Sequence, residues 1–264
     1  MNDRYEKLDS AERWFFDVLS MGEPPGFLVM EEVDMTAAQE LIAQARNQDI
    51  KVTYTHVVVR AVALALTRHP ELNRLILGKQ LVYPSTIDIG ISVSSELSIA
   101  TQPSMVLQDA GRKSLLQLAQ EISERASRVR AGQYQRLNKL RKVTRLIPSS
   151  WLRRRILRKM KSQLSVVRQR TGTFHVTSIP HLHAGIPFKY PTPAVLTFPR
   201  IEDRAVVRDG QVVVRPVSTF CMAGDHRLWQ ANSAAVLLKE IKEILENSEL
   251  AAEISQVEAL ALVH

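Results

Sequence analysis

The sequence of 264 residues predicts an α+β protein. Segments with apolar residues at three- and four-residue spacing, as in amphipathic helices, are mixed with short apolar runs bounded by Gly and Pro, as in strands. Asp209-Gly210 separates two alternating segments, which is the pattern of a two-residue hairpin turn. With 45% apolar and 23% charged residues, the chain has globular composition. We expect one domain over residues 1–264, with residues 131–170 as an insertion within it.

For the first part of the chain, the sequence predicts a helix, a strand, a second helix and a buried helix. The predicted elements are a helix over 9–20, a strand over 27–35, a helix from Thr36 to about 47 and a helix within 52–70. The first helix has Asp9 or Ser10 as a candidate cap, and Thr55 is the candidate cap of the buried helix. That helix ends before Pro70, because the residue that precedes a proline disfavours the α conformation. Gly and Pro breaks within 72–102 predict three short strands there.

The second part of the chain alternates helices with longer strands. Apolar residues at 115, 116, 118, 119 and 122 predict a helix with one apolar face over 112–132. Strands are predicted at 172–179 and 194–201, joined by a loop rich in Pro and His, and the Asp209-Gly210 hairpin follows. A final helix is predicted from about 230 to 246, and a short one near 248–258.

The positive charge is concentrated in residues 131–170. This basic limb holds 13 Lys and Arg residues and no Asp or Glu, so the rest of the chain carries a net charge of −5. The isoelectric point of 9.8 therefore describes one segment and not the whole protein. Within the limb, residues 147–150 separate two predicted amphipathic helices, and the second, which begins at Trp151, has an entirely basic polar face.

Three interpretations of the basic limb remain open. It is a helical hairpin that packs its apolar face on the domain, or a membrane-surface helix over 134–168, which Trp151 and the cationic face favour. The third interpretation is an acidic partner: an acyl carrier protein, the phosphates of coenzyme A, or nucleic acid. Nucleic acid is the least favoured of these, because few aromatic residues lie among the charges.

Several protein classes are disfavoured by the sequence. Cys221 is the single cysteine, so an internal disulfide is impossible, and its apolar neighbours predict an inert buried thiol. No signal peptide is visible and no window approaches 18 apolar residues. We therefore expect a cytoplasmic protein, with peripheral membrane association if the limb binds lipid.

Seven blocks of sequence carry a family resemblance through their order and spacing. They are EEVDMT (31–36), VTYTHVVVRAVALALTRHPELN (52–73), IDIGISV (87–93), GRKSLLQLAQEI (111–122), GTFHVTSI (172–179), TPAVLTF (192–198) and DHRLWQANSAAVLLKEIKEIL (225–245). Together they resemble the catalytic domain of the dihydrolipoyl acyltransferases of 2-oxoacid dehydrogenase complexes, over 27–250 apart from the limb. The resemblance implies the fold of chloramphenicol acetyltransferase, a two-layer sandwich of mixed sheet and helices.

The resemblance also implies a catalytic site. The family signature His-x-x-x-Asp-Gly stands here as His226 to Gln230-Ala231, and the family hydroxyl in the strand FHVTS is Thr177. His226 would act as the general base and Thr177 as the oxyanion donor. In the family the signature Asp pairs with a basic residue and fixes the turn that presents the His. Gln230 would support that turn, and Arg13 is the candidate basic partner.

The implied reaction is acyl transfer from a thioester without a covalent acyl-enzyme, in agreement with the absence of a G-x-S-x-G elbow. Coenzyme A thioester is the expected donor, and a small molecule or lipid is the acceptor. The family implies a homotrimer or a multiple of trimers, with the site between subunits. We see no lipoyl domain and no subunit-binding domain in this chain. Residues 94–114 differ from the family pattern in length, so acceptor specificity is not carried over.

Two alternatives from other classes remain. The replacements Gln230 and Ala231 favour a catalytically decayed member that acts as a binding or assembly module, and the basic limb favours a membrane-recruited scaffold. A metal site is a further interpretation for His175, His181 and His183, because His-x-His is a ligand pattern. No Cys or carboxylate lies nearby in the sequence, so we expect no metal. His56 occupies a family position that is often Asp and is a weaker candidate to face the site.

Overall fold

The structure, a computed structural model, describes residues 3–7, 26–93, 104–131, 152, 155, 159, 163–186, 192–247 and 249–254. Its helices are α1 (Thr36–Asn47), α2 (Tyr54–Arg68), α3 (Leu115–Arg130), α4 (Leu164–Arg170) and α5 (Ala231–Glu246). Its strands are β1 (Arg4–Lys7), β2 (Gly26–Asp34), β3 (Leu75–Leu77), β4 (Gln80–Tyr83), β5 (Ile89–Ser92), β6 (Ser104–Leu107), β7 (Phe174–Ile179), β8 (Ala194–Pro199), β9 (Glu202–Arg208) and β10 (Gln211–Asp225). Two 3₁₀ turns lie at Pro70–Leu72 and Ala110–Arg112, and residues 251–254 are helical.

A seven-stranded mixed sheet is the centre of the fold. Its order is β2-β10-β8-β7-β5-β6, and β9 pairs with the first half of β10. The β5–β7 and β7–β8 pairs are parallel, whereas the other pairs are antiparallel. A second sheet of three short strands has the order β1-β4-β3. The predicted α+β class and its mixed sheet are confirmed.

The two faces of the large sheet have different roles. Alternate residues of its central strands belong to one apolar core together with residues of α1, α2, α3 and α5, as strand geometry requires. These strand residues are Ile89, Ile91, Phe174, Val176, Leu196, Phe198, Phe220 and Met222. The residues between them point to the other face, which carries the polar side chains His175, Thr177 and Thr197. The candidate hydroxyl therefore lies on the face away from the helices.

Local sequence signals explain where the helices begin. In α2 the His56 ring Nδ1 accepts a hydrogen bond from the Thr53 backbone N–H at 3.3 Å, and in α3 the Ser114 hydroxyl accepts from the Gln117 N–H at 3.3 Å. The predicted cap at Thr55 was wrong, because Thr53 is the cap and the helix begins at Tyr54, two residues earlier than predicted. The Asp209-Gly210 turn is confirmed: both residues have positive φ, as a type I′ turn requires.

The basic limb is described only in part. The helix predicted over 9–20 and most of residues 131–170 lie outside the described residues. Where the chain returns, Arg168 of α4 donates from Nε to the carboxylate of Asp88 at 2.6 Å, and Asp88 is completely buried. Asp88 also accepts from the Asp109 backbone N–H at 2.9 Å. This ion pair ties the end of the limb to the start of β5.

Candidate active site

The turn that carries His226 follows directly on β10. The Asp225 carboxylate accepts from the Arg227 backbone N–H at 3.0 Å and from its guanidinium at 3.0 and 2.7 Å. The Asp225 carbonyl accepts from the N–H groups of Leu228 and Trp229 at 2.9 and 3.1 Å. One aspartate thus closes the turn through its side chain and its backbone, and α5 begins immediately after it.

An aromatic stack supports this turn from the core side. The Trp229 ring is stacked between Phe27 and Phe174, with ring centroids 6.3 and 6.2 Å apart and interplanar angles of 29° and 25°. Phe27 can lie against β10 because residue 224 is glycine: a Cβ there would come within 2.3 Å of the Phe27 ring. The glycine is therefore required by the close approach of this ring.

The His226 ring is held at two points. Its Nδ1 lies 3.1 Å from the Trp229 carbonyl oxygen, and the ring packs edge-on against Phe27 at 6.1 Å and 83°. A carbonyl oxygen can only accept, so Nδ1 carries the proton in this hydrogen bond. The neutral ring then has its lone pair on Nε2, which is the atom that a general base needs.

Gln230 and Ala231 lie at the start of α5. Gln230 is the exposed N-cap residue, and its side chain makes no capping hydrogen bond. Ala231 is the first helical residue, so its backbone has an ordinary helical conformation and no glycine is needed there. The candidate partner Arg13 lies outside the described residues. Its role and that of Gln230 stay predictions.

A different arginine reaches the turn. The Arg74 guanidinium, between Leu72 and β3, donates to the Leu228 carbonyl oxygen. No sequence motif marked this residue, because the contact joins positions 154 residues apart.

Thr177 lies at the middle of the sheet, on the face away from the helices. The register pairs it with Thr197 of β8, which in turn pairs with Cys221 of β10. Among the described residues, the Thr177 hydroxyl has no hydrogen-bond partner. The Thr197 hydroxyl is completely buried and also has none. The strand thus presents a hydroxyl that is available as a donor.

His226 and Thr177 of one chain do not meet. His226 comes directly after the end of β10 and five residues after Cys221, which corresponds to about 17 Å at the rise of a strand. Thr177 lies two strands away from β10, which adds about 10 Å laterally. The two candidate groups would have to come from different chains to act on one substrate.

The buried His56 and the half-buried His175 do not contact His226. His175 of β7 packs over Gly90, its Nε2 lies 2.9 Å from the Ser92 hydroxyl, and burial lowers its pKa to about 4. Burial, helped by the charge of Lys51, lowers the pKa of His56 to about 4. Because its Nδ1 accepts the hydrogen bond from the N–H of the cap residue Thr53, this ring nitrogen of His56 has a structural role.

The His-x-His pattern forms no cluster with His175. His181 and His183 lie in the exposed loop after β7, and His183 pairs with Glu202 at 2.8 Å. Within the described ranges, no group of three or more His, Cys, Asp or Glu side chains is placed to hold a metal ion. In the same ranges, no helix is both long and apolar enough to cross a membrane.

A cavity of about 770 Å³ lies elsewhere, between the end of α2, the end of β4 and the turn near Asp109. Neither His226 nor Thr177 lines it, so it is separate from the candidate site within one chain.

Comparison with known proteins finds one matching family. The model of the 2-oxoacid dehydrogenases acyltransferase (catalytic domain) matches residues 18–147 and 151–252. A dihydrolipoyllysine-residue acetyltransferase component of the pyruvate dehydrogenase complex from Bacillus subtilis (strain 168) is 28% identical over 232 residues, covering 86% of this chain and 46% of that protein. A succinyltransferase component of the 2-oxoglutarate dehydrogenase complex from Bartonella vinsonii subsp. berkhoffii is 25% identical over 232 residues, covering 83% and 47%. The chain spans about half the length of these curated relatives.

Solved structures give the same fold. A probable dihydrolipoamide acetyltransferase from Listeria monocytogenes superposes with a TM-score of 0.66 and 23% identity, covering 91% of this chain and 93% of that one. The cubic core of a pyruvate dehydrogenase multienzyme complex gives 0.65 and 20%, with coverage of 94% and 93%. Chloramphenicol acetyltransferase gives 0.55 and 15%, with coverage of 92% and 100%. The expected chloramphenicol acetyltransferase-like fold is confirmed.

Proposed function

Because the chain belongs to the 2-oxoacid dehydrogenase acyltransferase (catalytic domain) family, we propose that it moves an acyl group from a thioester, acyl-coenzyme A, directly to an acceptor. The curated relatives are acyltransferases that differ in acyl group, one acetyl and one succinyl. The acyl group of this chain is therefore open. The acceptor is a small molecule or a lipid with a thiol, hydroxyl or amine.

The single observation that carries this proposal is the orientation of the His226 ring. With Nδ1 donating to the Trp229 carbonyl oxygen, Nε2 is the atom that takes the proton of the attacking acceptor. As that proton leaves, the acceptor atom attacks the thioester carbonyl and a tetrahedral intermediate forms. When the intermediate collapses, the carbon–sulfur bond breaks and the departing thiolate takes from His226 the proton that came from the acceptor.

Thr177 is the proposed donor to the oxyanion of that intermediate. Its hydroxyl is unpartnered among the described residues, and one such donor contributes on the order of 3 kcal/mol to the transition state. Since an offset of about 17 Å along the strands and about 10 Å across them separates Thr177 from His226 of its own chain, we propose that the site forms between copies in a trimer. The acceptor and the donor then meet in a channel between His226 of one copy and Thr177 of the next.

The departures from the family signature are compatible with this reaction. The Asp225–Arg227 ion pair closes the turn, and Ala231 has the helical conformation its position requires. The turn is thus formed without a carboxylate at position 230. Gln230 is proposed to support it only through its place at the helix start.

The test is His226-dependent thiol release. The full-length protein is incubated with a panel of acyl-coenzyme A species and fractionated cell extract, and free thiol is measured for the wild type and His226→Ala. We expect His226→Ala to lose between about a hundredfold and ten-thousandfold in rate. His69→Ala is the matched control, because His69 pairs with Glu71 and Glu240 on the helical side. Equal rates for the wild type and His226→Ala would refute the proposed mechanism.

The second candidate is a binding or assembly module that keeps the fold without the reaction. This candidate is favoured by Gln230, whose side chain is exposed and makes no capping hydrogen bond to α5. The double variant Gln230→Asp/Ala231→Gly decides between the two: a large gain in thioester turnover over an inactive wild type would favour the module. The membrane-surface alternative for residues 134–168 falls on residues outside the described ranges and stays a prediction.

A further inference from the structure

We propose that Arg74 is a positioning residue that holds the His226 turn and thereby sets which ring nitrogen of His226 carries the proton. The consequence for catalysis depends on the proposed acyl transfer, whereas the effect on the ring does not. The observation is a chain of two hydrogen bonds. Arg74 donates to the Leu228 carbonyl oxygen, and the next carbonyl oxygen, that of Trp229, accepts from His226 Nδ1.

Arg74 is anchored firmly enough for this role. Its neighbour Asn73 is buried and donates from its side-chain amide to the carbonyl oxygens of Thr86 and Pro84 at 3.0 and 3.3 Å. Leu72 and Leu75, on either side, belong to apolar clusters. The backbone on both sides of Arg74 is therefore held in place, and its guanidinium reaches the turn from a fixed position.

The arrangement at Arg74 is poorly explained by stability alone. Its Nε is buried and has no hydrogen-bond partner. A buried donor without a partner is destabilising, so the unpartnered Nε lowers the stability that Arg74 contributes to the fold. What Arg74 does provide is a fixed orientation of the Leu228 peptide, through the hydrogen bond to its carbonyl oxygen.

The direction of the Leu228 carbonyl limits the direction of the Trp229 carbonyl. The two peptides share the Trp229 Cα, and the Trp229 ring is fixed by its stacking between Phe27 and Phe174. With the first carbonyl held by Arg74 and the ring held by the stack, the second carbonyl is directed at His226 Nδ1. The proton on one ring nitrogen follows from the hydrogen bond that this nitrogen makes. Without Arg74, the Trp229 carbonyl is free to turn away and the Nε2-protonated form becomes populated.

The experiment uses the full-length protein with ¹⁵N-labelled histidine. The ring nitrogens of His226 are assigned by their loss in His226→Ala, and their shifts are compared in wild type, Arg74→Met and Arg74→Lys. Arg74→Met keeps the apolar stem and removes the guanidinium, and Arg74→Lys guards against a failure of the first variant to fold. Arg60→Ala is the matched control, because Nη1 of Arg60 is likewise buried without a hydrogen-bond partner and Nη2 pairs with Glu253 at 2.7 Å, away from the turn.

We expect both Arg74 variants to move the His226 nitrogens toward the Nε2-protonated form, and Arg60→Ala to leave them unchanged. We also expect kcat to fall between about tenfold and a hundredfold with KM within about twofold, as for a displaced catalytic group. Unchanged nitrogen shifts in the Arg74 variants would overturn the inference even if transfer occurs. If the His226 nitrogens shift in the Arg74 variants while the wild type transfers no acyl group, the inference stands and the proposed function is rejected.

Discussion

Gly224→Ala tests whether the aromatic stack positions His226. A Cβ at residue 224 would lie 2.3 Å from Phe27 Cζ and 2.7 Å from Cε1, whereas real contacts begin near 3 Å. The Phe27 ring must therefore move. Overpacking of this kind costs about 1–3 kcal/mol. For a chain of this size each kcal/mol lowers the melting temperature by about 2–4 °C, so we expect a fall of between about 2 and 12 °C.

The assay is calorimetric unfolding of the wild type, Gly224→Ala, Phe27→Leu and the double variant. The smaller Leu side chain leaves room for the new Cβ, so the double variant should be more stable than the sum of the two single effects predicts. Thiol release should fall in Gly224→Ala, because His226 packs against the same ring. A Gly224→Ala protein as stable as the wild type, or strict additivity in the double variant, would refute the reasoning.

Two more predictions concern buried polar groups. Burial lowers the pKa of His56 to about 4. Between about pH 6.5 and pH 4, His56 is therefore protonated in the unfolded chain and neutral in the folded chain. The free energy of unfolding falls as the pH is lowered through that window, by on the order of 3 kcal/mol. His56→Gln, which keeps an acceptor for the Thr53 N–H, should flatten this dependence in urea unfolding at pH 7 and pH 4.5; an unchanged slope would count against it. Thr197→Val removes a buried hydroxyl without a partner and should raise the free energy of unfolding by about 1 kcal/mol, measured by denaturant midpoint; a lower midpoint would mean that the hydroxyl is satisfied in the assembled protein.

Local patterns in the sequence were sufficient for most of the elements. The Asp209-Gly210 turn was predictable because only a few residue types adopt positive φ at two successive positions. The start of α2 was missed by two residues, since Thr53 and Thr55 are both competent caps and only the contact with His56 distinguishes them. Residues 104–107, which form β6, were assigned to no strand.

The candidate site was predictable only where a motif existed. His226 and Thr177 follow from ordered sequence blocks, but their separation within one chain follows from sheet register, which no local pattern encodes. Arg74 and Phe27 were missed for the same reason. Each contacts the His226 turn across more than 150 residues of sequence, and neither has a spacing that a motif could report.

The pairing of β2 with β10 has a consequence for how the protein folds. Gly26 pairs with Asp225 and Asp34 with Val217, so an early strand cannot complete its pairing until a late one is available. Contacts of such sequence separation form slowly, and during synthesis the ribosome must release β10 before they can form at all. Phe27 and His226 are therefore among the last groups to be brought together. In the nascent chain, α2 and α3 can contact each other and β5 can pair with β7 before the geometry around His226 exists.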